Sequence, residues 1–384
     1  MLNMGGPSTV PEVGPFLNRL FSDGDIVSLG PLQSWLGPLL AKRRTPKIEE
    51  QYAQIGGSPI RKWTELQGRE MVKRLDKLSP ETAPHKFYVC FRYADPLTSD
   101  CLAAMTADGV TRAVAFSQYP QYSCTTTGSS LNHLWRELLR RGQEKAFSWS
   151  VLDRWAEHPT FIAAVQRRIE LGLAEFAPEE RDKVIILFSA HSLPMKVVNR
   201  GDSYPQEVGA TVAAVMRALQ TANPAAGTPA RPNKYILAWQ SQVGPLPWLG
   251  PQTGEVLSGL GAQGHQHVLV VPIAFTSDHV ETLFEIDIEY AHVAKEAGIA
   301  HFRRAPSLND EPLLADAMAQ LLAKHLKDGE VCSRQYPLNC AGCTNPLCRS
   351  IVNPIKPYAK LRDQAKPDGP MAKEDPTNQV GLRA

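Results

Sequence analysis

The sequence has almost no net charge, because its 41 Lys and Arg residues nearly balance its 39 Asp and Glu residues and leave +2 at pH 7. This balance excludes a polybasic nucleic-acid binder and an acidic disordered chain. Apolar stretches are short: the longest uninterrupted one covers residues 268–275, whereas a membrane-spanning helix needs roughly 18 apolar residues. We therefore expect a globular protein without a transmembrane segment, and 384 residues suffice for more than one domain.

Cysteine is sparse, with seven in the chain, and its placement does not suggest a disulfide framework. A glycine-rich phosphate loop is missing as well, because Gly5-Gly6-Pro7 lacks the required spacing and Pro7 offers no N–H donor. A nucleotide cofactor is therefore not expected. Residues 1–7 carry neither the apolar core of a signal peptide nor the pattern of a transit peptide. They predict a cytosolic protein, or one from which a targeting segment has been removed.

Short apolar runs, each followed by a loop and a helical pattern, predict an α/β protein with parallel sheets flanked by helices. Runs such as Val-Ile-Ile-Leu-Phe are apolar on both faces, which is typical of strands buried between helical layers. Ligands of such folds bind beyond the carboxyl ends of the strands, so the residues after each run are candidate site residues. The predicted strands cover residues 86–91, 112–116, 183–188, 234–239 and 267–275.

The alternation of strands and helices predicts one α/β unit over residues 1–125 and a second over residues 126–330. A cysteine-bearing extension follows at 331–348, and a proline-rich tail at 349–384 is expected to be poorly ordered. Within the first unit, residues 16–44 form an apolar segment that Gly and Pro interrupt and a basic cluster closes. Two interpretations of this segment stay open: a core helix pair, or a pocket lip that also contacts a membrane surface.

Two histidines follow two of the predicted strands. His191 lies in Phe-Ser-Ala-His-Ser-Leu-Pro, and His279 lies in Phe-Thr-Ser-Asp-His-Val-Glu. A histidine at such a position can exchange protons near neutral pH, although a single one is more often a hydrogen-bonded loop residue. Their corresponding positions predict one shared cleft.

An acidic helix face follows His279. Glu281, Glu285 and Glu289 recur every four residues, which places three carboxylates on one face of a helix. Like charges at this spacing repel one another, and no basic residue compensates within the helix until Lys295. The face could guide a divalent cation towards His279, or it could simply be a solvated surface.

Three cysteines are grouped near the C-terminus. Cys340, Cys343 and Cys348 have the spacing C-x2-C-x4-C, which can surround one soft metal centre. The fourth ligand has to come from elsewhere, and Cys332 and Cys124 are the candidates. Zinc and an iron–sulfur cluster both fit this pattern.

An aromatic loop follows the strand at 234–239. Residues 239–251 contain Trp248 in a Gly- and Pro-rich stretch that could form one wall for a flat hydrophobic ligand, with Met4 on another wall. The alternative is a surface loop with a tryptophan that anchors it to the core.

Several of these motifs together make the sequence similar to the ferrochelatase family, in its eukaryotic mitochondrial form. The resemblance extends from Leu2 to about Cys348. The motifs are Leu-Asn-Met-Gly-Gly-Pro, Ala-Lys-Arg-Arg-Thr-Pro-Lys-Ile, Gln-Tyr-Pro-Gln-Tyr-Ser-Cys, Phe-Ser-Ala-His-Ser-Leu-Pro, Gly-Pro-Leu-Pro-Trp-Leu-Gly-Pro-Gln-Thr and Thr-Ser-Asp-His-Val-Glu-Thr. The resemblance implies two similar Rossmann-like domains of the class II chelatase type, with the active-site cleft between them. It implies insertion of Fe²⁺ into protoporphyrin IX, with release of two protons.

The resemblance also implies roles for individual residues. It makes His191 the residue that accepts pyrrole protons or presents the metal, and it places His279, Glu281 and Asp278 on the opposite side of the porphyrin. Glu285 and Glu289 would continue an acidic path for metal entry or proton exit. The implied porphyrin-binding residues are Met4, Arg44, Arg92, Tyr93, Ser130 and Trp248, of which Arg44 would meet a propionate.

The family resemblance further implies a [2Fe–2S] cluster held by Cys124, Cys340, Cys343 and Cys348, which leaves Cys332 without a role. It implies a homodimer with peripheral membrane association, on the matrix side of the mitochondrial inner membrane. Two alternatives remain: a chelatase for another metal or tetrapyrrole, and a non-catalytic haem or iron–sulfur sensor.

Overall fold

The computed structural model describes residues 1–26, 30–221, 230–335, 342, 348, 350 and 351. Its α-helices are α1 Val13–Phe21, α2 Gln33–Ile55, α3 Ile60–Leu78, α4 Thr98–Ala107, α5 Ser129–Arg140, α6 Pro159–Ala174, α7 Met195–Asn199, α8 Tyr204–Gln220, α9 Thr253–Ala262, α10 Ala291–Glu296 and α11 Pro312–Asp328. Its strands are β1 Leu2–Asn3, β2 Cys90–Phe91, β3 Arg112–Phe116, β4 Ser148–Leu152, β5 Ile185–His191, β6 Tyr235–Gln240, β7 His267–Pro272 and β8 His301–Arg304. Short 3-10 helices are Val10–Glu12, Gly30–Leu32 and Arg181–Lys183, and π-helices are Cys124–Gly128 and Glu281–Tyr290.

The C-terminal sheet is four-stranded and parallel, in the order β6-β5-β7-β8. Alternate residues of a strand point to opposite faces, and both faces of this sheet are covered by helices. On one face Ile186 and Phe188 pack with α6, α8 and α11, and on the other face Ile185 and Leu187 pack with α9, α10 and the π-helix at 281–290. The predicted α/β class with parallel sheets and flanking helices is confirmed.

The N-terminal strands form two parallel pairs, β1 with β2 and β3 with β4. A bridge between Leu2 and Ser117 joins the pairs, and the Gln118 N–H donates to the Leu2 carbonyl at 3.1 Å. The predicted division at residue 125 falls between β3 and β4, so the pairing of this sheet extends across it. Cys332 also bridges to Val151 of β4, which brings the chain back to the N-terminal sheet.

The apolar segment at 16–44 contains α1 and the start of α2. One side of this helix pair is a small core of Val13, Leu17, Phe21, Ala41 and Tyr52, to which Val280 also packs. On the other side Leu32, Trp35 and Leu39 are exposed. Within the described residues, none of the helices combines the length and the apolar character that crossing a membrane requires. The tail at 352–384 lies outside the described residues.

Candidate active site

His191 and Glu281 form a contact at the carboxyl edge of the C-terminal sheet. His191 is the last residue of β5 and pairs with Gln240 at the end of β6. Its Nδ1 lies 2.9 Å from Oε2 of Glu281, the first residue of the π-helix. The His191 side chain is 36% exposed, so its outer ring nitrogen can reach a ligand from the cleft.

His279 approaches the same carboxylate from the other side. Its Nε2 lies 3.9 Å from Oε1 of Glu281, and its Nδ1 lies 3.0 Å from the carbonyl oxygen of Ser277. That carbonyl accepts a hydrogen bond from the Nδ1–H group, which leaves Nε2 without a proton in the neutral ring. The Phe275 ring packs edge-on against the imidazole at 4.6 Å. The two predicted histidine loops therefore meet at one carboxylate.

This arrangement corrects one expectation. Glu281 was expected across a flat ligand from His191, but their side chains are in hydrogen-bond contact. No ring system can lie between two groups 2.9 Å apart. His191 and Glu281 therefore act from one side of any flat ligand.

The electrostatics of the pair favour a charged carboxylate. Burial opposes ionisation of Glu281, but the His191 and His279 rings and the Ser241 hydroxyl outweigh it and lower the pKa of Glu281 to about 2. Burial likewise acts against the charged form of His191, yet the neighbouring Glu281 charge leaves the pKa of His191 raised. His191 is thus a stronger base than a solvated histidine.

Ser241 connects Glu281 to the next carboxylate, Glu285. It adopts a φ of 66°, in the left-handed region that few residues other than glycine occupy. Its hydroxyl donates to Glu281 Oε2 at 3.2 Å and to Glu285 Oε2 at 2.5 Å, and its backbone N–H donates to Glu285 Oε1 at 2.6 Å. Tyr290 donates to the same carboxylate at 2.9 Å. Burial and the Glu281 charge nevertheless raise the pKa of Glu285.

The third glutamate of the acidic face, Glu289, is exposed. Residues 281–290 form a π-helix rather than the predicted α-helix, with hydrogen bonds from residue i to i+5. The three glutamates therefore differ in their surroundings. Glu281 is charged and partly buried, Glu285 is protonated more readily, and Glu289 is exposed to water.

Asp278 belongs to a separate network. Its carboxylate accepts hydrogen bonds from Ser307 at 2.6 Å and Asn309 at 2.7 Å, and Arg304 lies 3.1 Å away. Burial works against the charge, but Arg304 and these donors keep the pKa of Asp278 lowered. Asp278 also lines a cavity of about 470 Å³, together with Gly57, among other residues.

Met4 and Tyr93, two of the predicted porphyrin-binding residues, follow the ends of β1 and β2 in the N-terminal sheet. The Tyr93 N–H donates to the Met4 carbonyl at 3.1 Å, and the Met4 N–H donates to the Tyr119 hydroxyl at 2.9 Å. Burial raises the pKa of Tyr119, and the charges of both Glu281 and Arg92 act on this hydroxyl. The Tyr119 hydroxyl also donates to Asn3 Oδ1 at 3.3 Å, so Tyr119 is held at the end of β1.

Arg92 is buried and already paired. Its guanidinium contacts the carboxylate of Asp23 and donates to the Ser129 carbonyl at 3.1 Å. Tyr93 donates to the same Asp23 carboxylate at 2.7 Å. Asp23 lies between α1 and α2, so this contact links the helix pair to the N-terminal sheet.

The remaining predicted pocket residues have different surroundings. Trp248 lies beside His191, with ring centroids 6.2 Å apart. Ser130 is buried at the start of α5, and its hydroxyl has no hydrogen-bond partner among the described residues. Arg44 is exposed on α2, with its guanidinium 5.7 Å from the centre of the Phe21 ring.

The predicted cluster ligands are described only in part. Cys340 and Cys343 lie outside the described residues, whereas Cys124 and Cys348 are half-buried. The Cys124 N–H donates to Asp202 Oδ2 at 2.8 Å. Between the two undescribed cysteines, the Gly342 N–H donates to the Arg200 carbonyl at 3.1 Å.

Several residues of the site escaped the sequence analysis. Ser241 was within a loop that follows a predicted strand, but nothing in the sequence marks its left-handed backbone. Asp23 and Asp202 are acidic residues in loops, and acidic residues are common there. Their importance comes from long-range partners that no local pattern reveals.

A family model described as Ferrochelatase matches residues 1–326. "Ferrochelatase, mitochondrial" of Xenopus laevis is 56% identical over 350 residues, covering 91% of this chain and 82% of the relative. The Homo sapiens protein of the same name is 55% identical over 351 residues, covering 91% of this chain and 80% of the relative. Among solved structures, "SirB from Bacillus subtilis with Fe3+" is 13% identical with a TM-score of 0.46, covering 69% of this chain and 92% of that chain.

Proposed function

The chain belongs to the ferrochelatase family, and from this membership we propose how its own residues insert iron into a porphyrin. It is an enzyme of haem biosynthesis, whose substrates are ferrous iron and a porphyrin. We take protoporphyrin IX as the porphyrin. Metallation replaces two pyrrole N–H protons by Fe²⁺, so the site needs a base and a route for two protons.

His191 is the proposed base. The observation that supports it is the 2.9 Å contact between His191 Nδ1 and Glu281, because this contact leaves Nε2 facing the cleft. The neutral ring binds a proton at Nε2, and the adjacent carboxylate stabilises the imidazolium that forms. His279 faces the second oxygen of Glu281, and it orients this carboxylate and balances its charge.

Glu285 and Glu289 form the proposed exit for protons. A carboxyl with a raised pKa can hold a proton that Glu281 would release, and Glu285 shares the Ser241 hydroxyl with Glu281. From Glu285 the proton moves to the exposed Glu289 and then to water. The same acidic face could also attract Fe²⁺, since carboxylates and imidazoles together suit this ion.

The porphyrin is proposed to lie between the ends of the two sheets. Met4, Arg92 and Tyr93 would contact it from the N-terminal sheet, and His191 and Trp248 from the C-terminal sheet. The Trp248 ring next to His191 gives a flat apolar surface for a macrocycle. Ser130 and Arg44 would bind at the periphery, where propionates need donors or cations.

The decisive experiment is an anaerobic assay with Fe²⁺ and protoporphyrin IX. Replacing His191 with Ala is expected to lower haem formation by about 1000-fold, as for loss of a general base. Porphyrin binding, followed by fluorescence, should persist. A matched control is His292→Ala, since His292 is an exposed histidine that also has a glutamate partner. Full turnover in His191→Ala would contradict the assigned role, and a parent protein no faster than the uncatalysed reaction would indicate a binding protein instead.

We further propose that Cys124, Cys340, Cys343 and Cys348 hold a [2Fe–2S] cluster. Two described contacts support the fit: Cys124 is held by Asp202, and Gly342 is held by Arg200, so both cysteine-bearing segments bind the same short turn. Thiolates are the ligands that such clusters require. When bound, the cluster would supply a redox-active centre that joins the two segments.

The cluster assignment has its own test. Cys343→Ser is expected to abolish the visible absorption of the cluster, whereas Cys332→Ser should leave it intact. A spectrum that disappears with Cys332→Ser and survives Cys343→Ser would contradict the assigned ligand set.

The location of the protein is part of the proposal. Relatives named mitochondrial support a mitochondrial protein, and we place it on the matrix side of the inner membrane as a homodimer. Leu32, at the end of the 3-10 helix before α2, and Trp35 and Leu39 on α2 are 56%, 67% and 52% exposed, and the basic cluster at 42–44 follows them. Such a surface can bind anionic lipid. A Trp35→Ser variant should bind anionic vesicles more weakly, and sedimentation tests the dimer.

A further inference from the structure

A second cluster of metal-ligating side chains lies at the opposite edge of the C-terminal sheet. It contains Glu180, His267 and His301, whose ligand atoms all lie within 4.8 Å of one another. None of these residues takes part in the proposed insertion reaction. His191 ends β5, whereas this cluster lies where β5, β7 and β8 begin, about 20 Å away at roughly 3.3 Å per residue of strand.

The fold itself brings these ligands together. His267 and His301 are the first residues of two neighbouring parallel strands and are in register with each other. Their side chains therefore emerge on the same face, and the two imidazole rings lie 4.7 Å apart with planes only 8° from parallel. Glu180 precedes the 3-10 helix that leads into β5, the strand on the other side of β7.

His267 and Glu180 are close to each other, but they do not form a hydrogen bond of good geometry. His267 Nε2 lies 3.1 Å from Glu180 Oε1, yet within the described chain this nitrogen makes no hydrogen bond of acceptable geometry. The His267 side chain is only 14% exposed, so water does not readily compensate. A buried ring nitrogen without a directed partner is costly, and a cation between the nitrogen and the carboxylate would satisfy both.

From these contacts we propose that Glu180, His267 and His301 bind a divalent transition-metal cation of the zinc type. Two imidazoles and one carboxylate are a familiar ligand set for tetrahedral Zn²⁺, with water in the fourth position. Ligand atoms around such an ion lie about 3.4 Å apart for bonds of about 2.1 Å. The ligand atoms, which all lie within 4.8 Å of one another, would have to approach by up to about 1.4 Å on binding. Arg303, which shares a face of β8 with His301, pairs with Glu175 at 3.6 Å, so its charge is directed at another carboxylate.

The bound ion would link the first residues of β7 and β8 to the segment that precedes β5. Because its ligands come from segments far apart in sequence, binding favours the folded chain over the unfolded chain. The site is thus expected to stabilise the protein without contributing to porphyrin metallation.

Equilibrium dialysis against Zn²⁺ tests the proposal on the full chain with any bound cluster intact. His301→Asn and Glu180→Gln are expected to bind one Zn²⁺ fewer per chain than the parent, with an affinity at this site at least about 10-fold lower. His292→Asn is the matched control, because its histidine also faces a glutamate, Glu296 at 3.2 Å, but has no third ligand among the described residues. Zinc bound at the catalytic histidines or at cysteines is common to all variants and cancels in the comparison.

Two further readouts separate binding from mere structural damage. The parent and His292→Asn should melt at a higher temperature when Zn²⁺ is added, and His301→Asn should show a smaller rise. Co²⁺ in place of Zn²⁺ should give a tetrahedral absorption spectrum that loses one component in His301→Asn. Equal stoichiometry and an equal melting response in the parent, His301→Asn and Glu180→Gln would overturn the proposal. All three variants alter partly exposed side chains, so folding is expected to survive.

Discussion

Two histidine–glutamate pairs occupy the two ends of one parallel sheet, and they differ in which ring nitrogen meets the carboxylate. At the carboxyl end His191 uses Nδ1 at 2.9 Å, so its Nε2 is not engaged by this carboxylate. At the amino end His267 uses Nε2 at 3.1 Å, and a second imidazole stacks on it. The first arrangement leaves Nε2 of His191 available for a substrate. The second places Nε2 of His267 beside the Glu180 carboxylate and the His301 ring. We therefore propose that the same two residue types support proton transfer in one place and cation binding in the other.

The largest effect that would separate the two pairs is expected from Glu281→Gln. Loss of the carboxylate removes the cause of the raised pKa of His191, so this pKa should fall. His191 must be neutral to accept a proton, and the rate of the parent therefore rises with pH through that raised pKa. In Glu281→Gln the rise should occur at lower pH, with a maximal rate lowered by about 100-fold because the imidazolium loses its partner.

The pH–rate profile of haem formation checks this shift, and Glu296→Gln, an exposed glutamate beside His292, serves as the control. An acid limb at the same pH in Glu281→Gln and in the parent would show that the carboxylate does not set the basicity of His191.

An intermediate effect is expected along the acidic face. Glu285→Gln should slow haem formation by about 10-fold, because an amide cannot carry the proton that a carboxylate with raised pKa holds. Glu289→Gln changes an exposed carboxylate that water can replace, and less than about a twofold change is expected. Steady-state rates of the two variants measure the gradient. Equal losses in both would remove Glu285 from the exit route.

The smallest effect should come from the other end of the sheet. His301→Asn lies far from the reaction, and its turnover should stay within about twofold of the parent. Its melting temperature without added metal should change by no more than about 2 °C. Thermal unfolding and the haem assay on one preparation check both statements. A loss of turnover comparable to that of Glu285→Gln would mean that the two ends of the sheet are coupled.

Much of the framework was predictable because buried strands carry a strong local signal. The run at 112–116 was predicted with its observed bounds, and β5 and β7 were found within a few residues. The strands β4 and β8 were missed because Ser148–Leu152 and His301–Arg304 contain too many polar residues to resemble a buried strand. The two-residue β1 is too short for any periodicity.

The site was predictable to the extent that its chemistry follows strand ends. His191, His279 and Glu281 stood out by type and position, and the structure brings them together. The prediction that Glu281 acts across a flat ligand from His191 was wrong. The two side chains are in direct contact, and this contact depends on how the π-helix packs against β5. The zinc-type cluster was not found, since Glu180, His267 and His301 are brought together by strand register and not by spacing along the chain.

The ion pair between Arg92 and Asp23 has a consequence for how an acidic ligand enters the cleft. A propionate that reaches this guanidinium must displace the Asp23 carboxylate, so one anion is exchanged for another and the buried cation is never left bare. Since the Tyr93 hydroxyl donates to the same Asp23 carboxylate, such an exchange would release Asp23 from two partners at once.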